Sequence, residues 1–296
     1  MTVAFGLYLP QLRMDFSTIV ERVRAAEQAG FASIWLMDHL AAPASPASDT
    51  FEGWTTAAAL APLTETIRLG HLVLCDPLRH PAVLAKMAAT LDVISGGRLE
   101  LGLGWGSVEA ELHAYGVTTE PALARAARLA ETLDVLDLMF SGEAFDYAGD
   151  HVQLVGAIGR PVPLQERIPI HIGGGGRQLT MPLVRERADW WNCPSYAIDR
   201  FEELRPLAGR ARVSVQHPIG LAPTAASRRE VVETAERRFG GWGGLVAGTA
   251  AEVAAALSRE AESGVELFIC QFSDFAQPET LQHFATEVMP AVSAAR

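Results

Sequence analysis

Cysteine, basic charge and long apolar runs are all scarce in this chain. Its three cysteines, Cys75, Cys193 and Cys270, lie far apart among 296 residues, with no Cys-x-x-Cys or Cys/His spacing. That argues against a disulfide framework or a metal site, and it fits a reducing, cytoplasmic compartment. Lys and Arg number 24 against 35 Asp and Glu, a net charge of −11. An acidic surface of that kind is a poor match for nucleic acid or an anionic membrane. No apolar run reaches the roughly 18 residues of a membrane span. The opening MTVAFGLYLPQ has neither the charged start nor the apolar core of a signal peptide, and reads as a first strand. The acidity does not exclude a small anionic ligand, because backbone N–H groups at close range outweigh distant surface charge.

What is present is a chain 49% hydrophobic and 20% charged, able to bury a large core. The region from Ile67 to Gly116 is the most informative. Ile67–Leu74 is an apolar, β-rich run, His80–Ile94 has helical spacing, Gly96-Gly97 stops that helix, and Arg98–Gly104 is a second apolar strand. Two strands joined by a helix make a parallel crossover rather than a hairpin. The unit recurs. Strands are expected at Val3–Leu9, Ser33–Met37, Ile67–Leu74, Arg98–Gly104, Ile168–Ile172, Trp190–Cys193, Arg212–Gly220 and Glu266–Gln271, with Pro218 at the end of its strand rather than inside it. Helices are expected at Phe16–Ala29, Trp54–Leu63, Ala226–Arg238, Thr249–Ser263 and Glu279–Val288. After the fourth strand a long helix, Leu123–Phe140, and a hairpin around Gly149-Asp150 form an insertion. The expected fold is therefore α/β, a single (β/α)8 barrel domain over 1–296.

Such a barrel carries its site at the C-terminal ends of the strands. Those ends place Tyr8 after strand one, Asp38 and His39 after strand two, and Trp105, Gly106 and Ser107 after strand four. Gly173, Gly174, Gly175, Gly176 and Arg177 follow strand five, Trp191 belongs to strand six, Gln216 to strand seven and Gln271 to strand eight. Asp38-His39 offers a proton-transfer group near neutral pH, or, more blandly, a turn-capping Asp beside an exposed His. The glycine run is a candidate phosphate cradle of backbone N–H groups with Arg177 as a bidentate donor, Thr180 capping the next helix and Pro182 in its first turn. Of Trp190 and Trp191, one ring should be core and the other face the mouth. His71 and His171, inside apolar strands, are expected to be satisfied core residues. Glu109 and Glu111 stand two apart on a helix and should face different ways.

In order along nearly the whole chain, the sequence resembles the luciferase-like family of flavin- and deazaflavin-dependent oxidoreductases and monooxygenases. The likeness is carried by Ala29-Gly30-Phe31, Trp35 and Asp38-His39, by RHPAVLAKMAATLDVISGGRLELGLG over Arg79–Gly104, and by Glu111 with Ala114-Tyr115-Gly116. It continues through IPIHIGGGG over Ile168–Gly176, ADWWN over Ala188–Asn192 and VAGTAAEV over Val246–Val253. The resemblance implies the same barrel and a small-molecule substrate. Asp-His after strand two resembles the branch using the deazaflavin coenzyme F420, in hydride transfer; the alternative is an FMN-dependent monooxygenase supplied by a partner flavin reductase, and a flavin-binding protein without turnover is a third class. It further implies His39 near the reacting edge of the ring with Asp38, a bulge at Leu72-Val73 behind the ring through a non-prolyl cis peptide, and the phosphate on Gly173–Arg177. Trp105 and Gly106 would complete the cofactor site. Tyr8, Trp105, Ser107, Trp191, Gln216 and Gln271 would line the substrate pocket, and a second copy of the chain is a further expected partner. Two residues depart from the family pattern: Trp105 stands where a small residue is common, and Ser107 where an aromatic or acidic one is.

Overall fold

The computed structural model describes residues 3–43, 45–118 and 120–294. Eight parallel strands close into a barrel: β1 (Ala4–Tyr8), β2 (Ser33–Leu36), β3 (Arg68–His71, resuming at Leu74–Cys75), β4 (Leu99–Gly104), β5 (Ile170–Gly173), β6 (Trp190–Cys193), β7 (Arg212–Ala222) and β8 (Leu267–Phe272). Closure comes from β1 pairing β8, and from β7 pairing both β6 and β8. Helices connect the strands and cover the outside, as right-handed parallel crossovers require. A short strand, Val246–Thr249, extends β7, and its last residue closes a capping box with Glu252 on the helix Ala250–Glu262.

Alternation along each strand sorts the core into two parts. In β4, Leu99, Leu101 and Leu103 join the large core between sheet and helices. The intervening Glu100, Gly102 and Gly104 face the barrel axis. That interior is aromatic and polar. Trp35 fills it, with His171 edge-on at 4.7 Å and Trp190 stacked on His171 at 5.3 Å. Gly6 and Gly70 make the room: a Cβ on Gly70 would lie 2.6 Å from the Trp35 ring, and one on Gly6 2.9 Å from its Nε1. Glu100 sits between Arg68 and His171 in hydrogen-bonding contact with both, so its buried charge is paired.

Between β4 and β5 lie a short helix, Glu109–Ala114, a long one, Ala122–Phe140, and an antiparallel hairpin, Ala144–Ala148 with Gln153–Ile158. Glu131 on the long helix accepts from the N–H groups of Asp150, His151 and Val152 and so pins the hairpin turn.

One local expectation fails. Pro218 lies inside β7, paired with Gln271, not at its end. Its parity explains why this is tolerated. The Val213 and Ile219 carbonyls accept from β8, so even-numbered residues of β7 turn to the other side. On that side the pairing with β6 ends at Val215, opposite Cys193, and the next pairing begins only at Ile219. The missing N–H falls in the gap.

Candidate functional site

The strand ends converge on a cleft with two adjoining compartments. The polar one, about 310 Å³, is walled by Val73, Trp105, Ser107, Glu111 and the run Gly173–Gly176. The apolar one, about 590 Å³, is walled by Tyr8, Leu12, Met37, Phe239, Trp242 and Phe272 among others. His39, Leu72, Pro194, Tyr196 and Gln216 line both. Both volumes fall within the span typical of small-molecule sites.

Asp38 and His39, adjacent in sequence, do different things. Asp38 is buried, and its carboxylate accepts from the Cys75 N–H at 2.7 Å and from both Arg79 Nη atoms at 2.7 and 2.8 Å. Arg79 also reaches Glu52 at 2.9 Å. With acceptor sites engaged and its charge matched, Asp38 ties β2 to the loop after β3 while lining the polar compartment, and it makes no bond to His39. His39 turns instead toward Glu111, Nδ1 to Oε2 at 2.7 Å, while Oε1 accepts from Leu40 N at 2.7 Å and Ala41 N at 3.3 Å. A carboxylate only accepts, so the proton of this bond belongs to Nδ1 and the lone pair of neutral His39 is on Nε2. Its side chain keeps 30% exposure, on the wall common to both compartments. Glu109 faces elsewhere, onto Arg125.

β3 breaks at Leu72-Val73, where the peptide is cis. Val73 enters the polar compartment over a glycine surface: Cβ atoms on Gly104 and Gly173 would lie 2.7 and 3.0 Å from its methyl groups. Cys75 lines the same compartment, and burial first, then the nearby Asp38, Glu111 and Asp76, push its thiol up to about 12. It is a neutral wall atom.

Gly173–Gly176 face the polar compartment. Gly174 N–H donates to Asn192 O, but the N–H groups of Gly175 and Gly176 have no protein acceptor among the described residues. Open backbone donors of this kind suit an anion. Arg177 does not join them. Its side chain is 56% exposed and bonds Glu203 at 2.5 Å. Glu203 is held down to about 2 by hydrogen bonds from Arg200 and then Arg177. The cradle is thus neutral. Thr180 is the first helical residue after Leu179, not the cap, and its N–H reaches Gly176 O. Its Oγ1 takes the indole N–H of Trp105 at 3.3 Å, which fixes that ring across the compartment.

Other expected residues divide by strand parity and depth. Tyr8 lines the apolar compartment, with burial raising its phenol above the ordinary range, so it presents a neutral hydroxyl. Gln216 lies on the shared wall, while Ser107 is exposed at the polar lip and Gly106 lies beside it. Trp191 is corrected: it points outward into the main core, stacked on Phe201, and its Nε1 donates to Gly174 O at 2.9 Å, bracing the glycine loop from behind. Trp190, its neighbour, takes the interior face, with the Arg212 guanidinium 3.9 Å from its ring centroid. Gln271 is corrected as well: it is buried at the inward parity of Leu267 and Ile269, lines neither compartment, and its Oε1 has no partner among the described residues. Of the core histidines, His171 is bonded through Nε2 alone. His71 stacks on Trp54 at 5.2 Å beside the Gly53 backbone, with burial lowering its basicity.

The family model described as luciferase-like monooxygenase matches residues 3–266. The chain belongs to that family. Within it, this luciferase-like protein is 28% identical over 229 residues to the F420-dependent hydroxymycolic acid dehydrogenase of Mycobacterium tuberculosis, a match covering 74% of this chain and 61% of that one. Among solved structures it resembles an F420-dependent secondary alcohol dehydrogenase in complex with an F420-acetone adduct, at a TM-score of 0.80, 20% identity and 99% coverage of each chain. It also resembles the FMN-bound oxygenating constituent of 3,6-diketocamphane monooxygenase from Pseudomonas putida, at a TM-score of 0.78, 17% identity and coverage of 98% and 99%. At those identities the structural likeness is one of fold. As a member of this family the protein is an F420- or flavin-dependent oxidoreductase.

Proposed function

We propose that this oxidoreductase uses F420 and transfers a hydride between it and a small organic substrate. One observation carries the reading: His39, oriented by Glu111, stands on the wall common to the polar and apolar compartments. A proton-handling group there touches whatever occupies either side.

The polar compartment fits a phosphorylated ring cofactor. The open N–H groups of Gly175 and Gly176 would take the phosphate, Leu72 and Val73 would back the ring, and Trp105 and Gly106 would close the opposite wall. Bound there, F420 would supply two-electron hydride chemistry. The protein supplies the rest. His39 gives or takes at Nε2 the proton that accompanies the hydride, and Glu111 holds Nδ1–H so that Nε2 stays available. Leu72, Met37 and Tyr8 exclude water from the substrate side. The relationship to an F420-dependent dehydrogenase at 28% identity supports the choice of cofactor.

Equilibrium binding of oxidised and reduced F420 and FMN, side by side, tests the reading together with anaerobic turnover. F420 should bind and deuterium should pass from labelled reduced F420 to product, or the reverse. Reduced FMN as the effective donor, with oxygen-18 from molecular oxygen in the product, would replace it with the monooxygenase alternative.

A further inference from the structure

The walls of the apolar compartment carry charge of one sign. Although acids outnumber bases in the chain, no Asp or Glu lines this compartment among the described residues, whereas Arg13 and Arg238 both do. The acids of the cleft, Asp38 and Glu111, belong to the polar compartment and are committed to Arg79 and His39. Each arginine is exposed at the rim and free of a carboxylate partner among the described residues. Arg13 is held by neutral groups, Nε on Ser48 Oγ at 2.9 Å and Nη2 on Ser45 Oγ at 2.5 Å. Arg238 lies over the Phe275 ring, 5.3 Å from its centroid, an arrangement that supports the guanidinium plane and leaves its edge donors open.

The backbone singles out the same rim. The non-glycine residues with left-handed φ among those described are Arg13, Phe275 and Ala276, at 57°, 60° and 57°. Arg13 and Phe275 both line this compartment. Such conformations are disfavoured for residues with a Cβ and persist where the surroundings hold a side chain in place. Here they aim a cation and the ring beneath another cation at one opening.

We infer that the apolar compartment takes an amphipathic organic anion, with its hydrocarbon body among Leu12, Phe239, Trp242 and Phe272 and its anionic end between Arg13 and Arg238. As a statement about the substrate it rests on the reaction proposed above at His39. The reacting carbon then lies at the shared wall, and the anionic end lies at the rim, away from Asp38 and Glu111. Like charge at the acid side and opposite charge at the rim fix one orientation.

4-Phenylbutyrate and 4-phenyl-1-butanol, matched in shape and differing in charge, test this by calorimetric titration of the full chain with and without saturating F420. The carboxylate should bind at least about tenfold more tightly than the alcohol, the scale of one charge-assisted hydrogen bond, and should weaken with added sodium chloride. Arg238→Gln should remove about tenfold of carboxylate affinity and leave the alcohol unchanged, with Arg238→Lys retaining the salt dependence. Equal binding of acid and alcohol, or an unaltered Arg238→Gln, overturns the inference. So does displacement of F420 by 4-phenylbutyrate, which would assign the cations to the cofactor's own anionic part. If neither F420 nor FMN binds while the Arg238-dependent preference for the carboxylate persists, the cofactor reading falls and the anion site stands.

Discussion

Replacing Glu111 by Gln should invert the chemistry of His39 without emptying the space beside it. Glu111 uses one oxygen for Leu40 and Ala41 N–H and the other for His39 Nδ1. A glutamine keeps one acceptor, and the two backbone donors claim it. Its amide NH2 then faces His39, and can bond only a ring nitrogen without a proton. The imidazole responds by moving its proton to Nε2, so the nitrogen facing substrate loses its lone pair. Loss of a positioned base reduces turnover by about 10²–10⁴-fold, and a wrong imidazole tautomer falls in the same range. We expect kcat for substrate oxidation to fall by about 100-fold or more, with F420 affinity little changed. Because Glu111 acts through His39, Glu111→Gln combined with His39→Ala should be no slower than His39→Ala alone. Imidazole nitrogen-15 shifts in the single variant should report the exchanged tautomer. Multiplicative losses in the double variant, or an Nδ1-protonated ring in Glu111→Gln, would refute the reasoning.

Arg79→Met leaves the Asp38 carboxylate, whose side chain is 3% exposed, with the Cys75 N–H but no cation. Urea denaturation should show a loss of about 3–5 kcal/mol, the range for breaking a buried pair on one side. Arg177→Ala should change stability by no more than about 1 kcal/mol, as for other surface pairs, and F420 affinity by less than about threefold. Gly175→Val, by contrast, puts a Cβ 2.9 Å from that of Ala197, and should shift the cradle enough to weaken F420 binding about tenfold or more. Cys75, raised from 9.0 to about 12 in the folded chain, should resist iodoacetamide at pH 8 and react on unfolding. The same shift favours the protonated thiol, so its contribution to stability is complete below pH 9 and is lost between 9 and about 12, visible as alkaline lowering of the melting temperature.

The barrel was legible in the sequence because its signals are local. Strand runs, helical spacing and glycine stops recur in one order, and LELGLG displays in six letters the alternation between the outer core and the axis. The strand ends that hold His39 and the glycine run follow from that order alone. Partners do not, because nothing in the spacing along a chain says which loops meet. Asp38 is bound by Arg79, 41 residues on, and His39 by Glu111, 72 residues on. Sequence adjacency suggested that Asp38 and His39 act together; both line the polar compartment, but each is held by a different distant partner. Arg177 follows the glycines directly, yet Glu203, brought close by the helix after β6, claims its charge. Alternation required Trp190 and Trp191 to part, but only closure of the barrel decided which one faces the axis. Pro218 was placed at a strand end by its missing N–H, and the structure admits it inside because the neighbouring pairing lapses at that residue. The two arginines of the apolar compartment stand 225 positions apart in sequence, Arg13 in the loop after β1 and Arg238 in the last turn of the helix Arg228–Phe239. Convergence of that kind is set by tertiary packing, which buries the strands locally predicted and leaves their connecting loops to meet where the barrel opens.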